Sequence, residues 1–146
     1  MAGDSMQMQV VTPERSVVRG VTIKAVVVPS VEGYLGVLPR HAPMVATLKP
    51  GIVRYKQDNH YYLMAVSGGF LEVSENQVTL LVDRAEPAHE INISEARQYY
   101  DQMLGASQNK GDPSFDEEEA LMNLELARAR LKAAEANQEG NRRQSH

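Results

Sequence analysis

The hydrophobic period of this chain changes near residue 88, and few architectures accommodate such a change. Before that point, short β-branched or alternating runs are punctuated by Gly, Pro and Asn/Asp; beyond it, apolar residues recur at helical spacing. In Val78, Leu80 and Val82 the even positions are apolar, the pattern of a half-buried strand. The same reading predicts strands over residues 6–12, 15–19, 22–28, 34–38, 44–48, 51–57, 60–66, 69–74 and 77–83. So many short strands at close spacing specify a sandwich or barrel, and the expectation is a β-sandwich of about ten short strands over residues 1–88. Gln57-Asp58-Asn59-His60 reads as a hairpin turn, because Asp and Asn tolerate positive φ. Pro29, Pro39, Pro43 and Pro50 belong in loops or at strand ends, since proline cannot donate to a central ladder.

The remainder predicts a helical hairpin over residues 89–137 and a disordered tail over 138–146. Asn92 and Glu95 have the N-cap and N3 spacing of a capping-box variant. Ile93, Ala96, Tyr100, Met103 and Leu104 then share one helical face, and Gly105 is a natural terminator. Ser114 and Glu117 predict a second capping box. Glu117, Glu118 and Glu119 follow in the first turn, where the helix dipole favours negative charge. Ala120, Leu124, Ala127, Leu131 and Ala134 make an alanine-rich stripe that buries little area per residue. Such a helix is expected to dock weakly.

Chemistry-bearing patterns are scarce. The chain has no cysteine, which excludes disulfides, thiolate catalysis and Cys-based zinc sites. His41, His60, His89 and His146 lack metal-ligand spacing. Ser67-Gly68-Gly69 is not a nucleophile elbow and reads as a tight bend between strands. Lys110-Gly111 does not end a phosphate-binding loop. The N-terminus has neither the basic start nor the apolar core of a secretory signal, and no segment reaches the ~20 apolar residues of a membrane helix. A net charge of -4 gives no support to nucleic-acid binding. Residues 90–146 hold eleven acids against seven bases, so the imbalance lies in the helical part. Arg128, Arg130 and Lys132 cluster within the second helix, either as a solvated face or as a patch for an acidic partner.

Four blocks carry more information together than apart. They are Glu32-Gly33-Tyr34-Leu35-Gly36-Val37-Leu38-Pro39-Arg40-His41-Ala42-Pro43, Leu48-Lys49-Pro50-Gly51, Ser67 to Val73, and Val78 to Ala85. In this order and spacing they closely resemble the epsilon subunit of bacterial rotary F-type ATP synthases, and the resemblance spans residues 6–137. Gly33 and Gly36 would bracket a turn projecting Tyr34 outward, while Pro39 and Pro43 stiffen the segment carrying Arg40 and His41.

The resemblance implies a non-catalytic rotor subunit of the central stalk. The sandwich would bind the gamma subunit and rest on the membrane c-ring through Glu32, Tyr34, Arg40 and His41. The hairpin would be regulatory: folded on the sandwich, or extended into the alpha/beta catalytic head, where Arg128, Arg130 and Lys132 would meet acidic groups and inhibit ATP hydrolysis. The chain would lie peripherally on the cytoplasmic face of the inner membrane, with no nucleic-acid partner and no resident cofactor. Some relatives bind ATP at the hairpin through an I-D-x-x-R-A motif. The positions implied here are Glu86, Ile91, Asn92, Ala96 and Arg97, but Asn92 replaces the Asp and Glu95 replaces the Arg. Arg97 lies ~200° around the helix from Glu95, a poor substitute, so weak or absent ATP binding is expected. The competing expectation is a β-sandwich small-ligand-binding module with a helical dimerisation tail.

Overall fold

The computed structural model describes the backbone of residues 4–144 and the side chains of residues 4–141. Ten strands come first: β1 (Met6–Val11), β2 (Ser16–Ile23), β3 (Ala25–Ser30), β4 (Gly33–Val37), β5 (Met44–Leu48), β6 (Gly51–Gln57), β7 (His60–Val66), β8 (Gly69–Ser74), β9 (Gln77–Val82) and β10 (Ala85–Pro87). A 3-10 turn at Ala88–Glu90 leads into helices α1 (Ile93–Ser107) and α2 (Glu117–Gln144). The hydrogen-bonded path runs β10-β7-β6-β3-β5-β8-β9-β1-β2, with β4 on β3. Strands β3 and β5 join only at Ser30 and Leu48, and there the sheet folds over into two layers.

One core fills the space between the layers. Met6, Met8, Val10, Ile23, Val26, Val28, Val53, Met64, Val66, Leu71, Val73, Val78, Leu80 and Val82 are all buried in it. These positions alternate along their strands, so the period-2 pattern is the sandwich interior made visible. In β7, by contrast, Leu63 to Val66 is apolar without alternation. Met64 and Val66 face the core while Leu63 and Ala65 face the helices, so this strand is covered on both sides.

Several local expectations change. The predicted break around Gly20 is a bulge inside one strand: the β1–β2 register slips between Met8 and Val10, and Gly20 adopts φ 60°. Gly33 and Gly36 do not bracket a turn; both belong to β4, and the reversal falls at Val31–Glu32. The Gln57–His60 turn forms as expected, with Asp58 at φ 55°.

Asn92 caps α1, accepting from the Glu95 N–H at 3.0 Å. This helix passes through Gly105 and ends two residues later, where the Ser107 hydroxyl bonds back to the Leu104 carbonyl at 2.6 Å. The second cap is Asp116 rather than Ser114. The Asp116 carboxylate accepts from the Glu119 N–H at 3.2 Å, and its carbonyl accepts the first helical bond, from Ala120. Ser114 is committed to Asp112, donating its N–H at 2.9 Å and its hydroxyl at 2.8 Å, which holds the Asp112 carboxyl below the usual range. The expected disordered tail is instead helical to Gln144; residues 145 and 146 lie outside the described residues. Once nucleated, a helix propagates through Gln, Glu and Arg at one hydrogen bond per residue.

Candidate functional site: the seam between sandwich and hairpin

Helix α2 lies on the outer face of β6 and β7, with α1 packed against it. The contact between the two bodies is built from small side chains. Ala65, Ala88 and Ile91 meet Ala96, Ala129, Ala133 and Ala134, with Ile52, Leu63, Ile93 and Leu131 at the margins. Alanines let the helix approach the sheet closely, but each removes few square ångströms from water, at about 25 cal/mol per Å².

A bidentate ion pair crosses this seam. Strand β10 pairs with β7 so that Glu86 stands opposite Ala65, on the face that α2 covers. Arg130 reaches it from α2 with two bonds, Nε to Oε2 at 2.7 Å and Nη2 to Oε1 at 3.3 Å. The pair is partly buried, with side chains 17% and 34% exposed. Tyr99 of α1 completes the arrangement, its ring centroid 5.5 Å from the Arg130 guanidinium carbon. Three elements are thus tied through one arginine. Beside the pair runs a cleft of about 430 Å³, lined also by Glu14, Arg15, Asp83 and Arg84.

A second feature occupies the outer face of the other layer. Val45, Phe70 and Leu81 are 71%, 55% and 47% exposed. Phe70 pairs directly with Leu81, and Val45 lies diagonally across from Phe70. Leu121 and Met122 of α2 are also exposed, and Met122 borders the groove lined by Phe70 and Leu81. Exposed large apolar side chains clustered in this way mark a candidate interaction surface.

Residues 5–88 match the family model described as ATP synthase, Delta/Epsilon chain, beta-sandwich domain. The ATP synthase epsilon chain of Symbiobacterium thermophilum is 44% identical over 131 residues, covering 90% of this chain and 94% of that one. The chain belongs to the ATP synthase epsilon chain family. The epsilon chain of Moorella thermoacetica is 39% identical over 133 residues, covering 90% and 98%. In fold, the chain resembles one in the structure of Euglena gracilis mitochondrial ATP synthase, OSCP/F1/c-ring in rotational state 1. That match has a TM-score of 0.77 at 22% identity and covers 90% of this chain and 81% of the other. Epsilon chains are non-catalytic subunits of ATP synthase, in keeping with the reading of the motifs.

Epsilon-chain positions expected to act together do not all meet. Arg128, Arg130 and Lys132 divide, because alternate helical residues point ~200° apart. Arg130 turns in to Glu86, while Arg128 and Lys132 stay exposed beside the β5–β6 turn. Of Glu86, Ile91, Asn92, Ala96 and Arg97, only Glu86 borders the seam cleft. Ile91 and Ala96 are buried in the alanine cluster, Asn92 is spent on capping α1, and Arg97 is exposed.

Glu32, Tyr34, Arg40 and His41 also fall into two groups, with Glu32 and Tyr34 at the start of β4 and Arg40 and His41 beyond its far end. Glu32 is exposed at the β3–β4 tip, and the Tyr34 hydroxyl accepts from the Ile52 N–H at 3.3 Å. At the far end Arg40 adopts φ 67° and donates its N–H to Asn76 Oδ1 at 2.8 Å, while His41 is half-buried. The Glu86–Arg130 pair and the Phe70–Leu81 face went unnoticed in the sequence. The second had a signal: in a strand whose even positions form the core, Leu81 is apolar at an outward position.

Proposed function

We propose that this chain is a rotor subunit of the central stalk that couples the gamma subunit to the c-ring. Its α1–α2 hairpin acts as a movable brake on ATP hydrolysis. The observation that carries the reading is the seam: a 28-residue helix meets the sandwich through an alanine-rich cluster, a few isoleucines and leucines at its margins, and a bidentate ion pair. Elements that must leave and return are drawn from such low-stability contacts.

In this reading the apolar face of Val45, Phe70 and Leu81 receives gamma, because large exposed apolar groups give stable docking. The c-ring contact is assigned to the β3–β4 tip, where Val31, Glu32 and Tyr34 are exposed together; Arg40 and His41 lie too far away to share it. When the hairpin extends, Arg128, Arg130 and Lys132 are released toward acidic groups of the alpha/beta head. The subunit lies peripherally on the cytoplasmic face of the membrane through its complex. Nucleotide is expected to bind weakly or not at all, since Asn92 and Ala96 are engaged elsewhere.

Removal of residues 89–146 tests the proposal. The truncated chain should still assemble with the complex, and ATP hydrolysis by that complex should rise. Unchanged hydrolysis in a fully assembled complex would remove the brake.

A further inference from the structure

We propose a binding site for a free multivalent phosphate anion in the groove between α2 and the β5–β6 turn. The groove encloses about 260 Å³ on the side of α2 away from the Glu86–Arg130 pair. Lys49 borders it from the sandwich, and Arg128 and Lys132 border it from the helix. Among the described residues none of these three cations is in an ion pair. Arg128 and Lys132 are spaced i, i+4, so two like charges stand one turn apart, an arrangement that weakens a helix unless something neutralises it. One carboxylate, Glu125, borders the same groove, which leaves it with a net charge of two positive.

Tyr34 adds a donor. Its oxygen already accepts from the Ile52 N–H, so its own proton is free to point into the groove. Gly51 keeps the tyrosine there: a Cβ at this position would lie 3.2 Å from the Tyr34 hydroxyl and 2.6 Å from Pro29 Cβ. Three cationic donors and a phenol around a small recess suit the several oxygens of a phosphate or pyrophosphate. The recess is small and concave, with Ala129 and Ile52 in its walls, and so suits a small free anion better than a flat lipid surface.

The groove exists only while the hairpin is docked, since half its groups come from each body. An anion bound there must therefore stabilise docking, by a factor of about ten when its concentration is ten times its Kd. The test uses the full-length chain, with pyrophosphate as probe at constant ionic strength. Calorimetry should show one saturable site, and hydrogen exchange of α2 amides should slow as it fills. Lys49→Ala and Lys132→Ala should each weaken binding about tenfold, the loss of one charged contact, while Lys56→Ala, outside the groove, should not. The proposal is overturned by an absence of saturable binding above the sodium chloride control. It is equally overturned by binding that survives both substitutions, or by attachment to anionic lipid vesicles without any affinity for pyrophosphate.

Discussion

Replacing Glu86 by Gln isolates the ion pair across the seam. Gln keeps the size and one acceptor, but it removes the charge and the two-pronged acceptance of the Arg130 guanidinium at 2.7 and 3.3 Å. Exposed ion pairs contribute about 0–1 kcal/mol, whereas breaking a fully buried pair costs about 3–5 kcal/mol. With side chains 17% and 34% exposed, this pair falls between those limits. A loss of about 1–2 kcal/mol follows, which lowers the docked-to-undocked ratio about 5- to 30-fold. Hydrogen exchange on the isolated full-length chain reads that ratio directly. Amides of α2 from Leu124 to Ala134 should exchange faster by that factor, and amides of β1, β8 and β9 should not change. A cycle with Arg130→Ala should give a coupling energy of at least about 1 kcal/mol. Equal acceleration in α2 and in the sandwich would mean global destabilisation instead, and unchanged α2 exchange would mean that the alanine packing alone holds the helix. Either result refutes the reasoning. If the hairpin is the brake proposed above, the same substitution deepens inhibition in the assembled complex.

Three further substitutions probe separate parts of the fold. Ala133 is fully buried in the seam, so Ala133→Leu should overpack it by about 1–3 kcal/mol and release the hairpin; exchange should rise in α2 while the sandwich melts at an unchanged temperature. A Cβ on Gly69 would clash with the Leu81 carbonyl and lie 2.8 Å from Val82 Cα. Gly69→Ala should therefore destabilise the sandwich by about 3 kcal/mol or more, read by chemical denaturation. The Asp112 carboxyl is lowered by the Ser114 backbone and hydroxyl bonds, so the interhelical turn should be fully formed above the ordinary aspartate value of about 3.9 and lost as pH falls through the lower folded value. An NMR titration of Asp112 should move toward the ordinary value in Ser114→Ala.

The sandwich was legible because its core repeats a period of two. Met6, Met8 and Val10, like Val78, Leu80 and Val82, declare their layer one by one. Strand ends were less legible. Gly20 looks like a turn residue and proves to be a bulge, because the strand remains paired across it. Asp116 outcompeted Ser114 as a cap because Ser114 had a nearer partner in Asp112, a choice that spacing alone does not encode. The seam was half legible: the alanine stripe announced a shallow interface, but Glu86 and Arg130 are 44 residues apart and no local pattern joins them. In the docked hairpin the basic cluster divides for a geometric reason, since Arg128 and Lys132 share a face that Arg130 does not.

That division has an energetic consequence for any hairpin that moves. Arg130 cannot serve as a contact elsewhere while it holds Glu86 and Tyr99. Whatever receives it after undocking must first offset the lost pair, about 1–2 kcal/mol, and the alanine packing in addition. Arg128 and Lys132 carry no such debt, being in no ion pair among the described residues of the docked state. Their attraction to an acidic partner is therefore available from the first approach, whereas that of Arg130 is realised only after the seam has opened. Extension should accordingly be steered by Arg128 and Lys132 and opposed by Arg130. A charge-removing substitution in the first pair should slow engagement of an acidic partner, while Glu86→Gln should hasten it; opposite signs from residues so close in sequence would follow from the seam geometry and from no reading in which the three cations act as one patch.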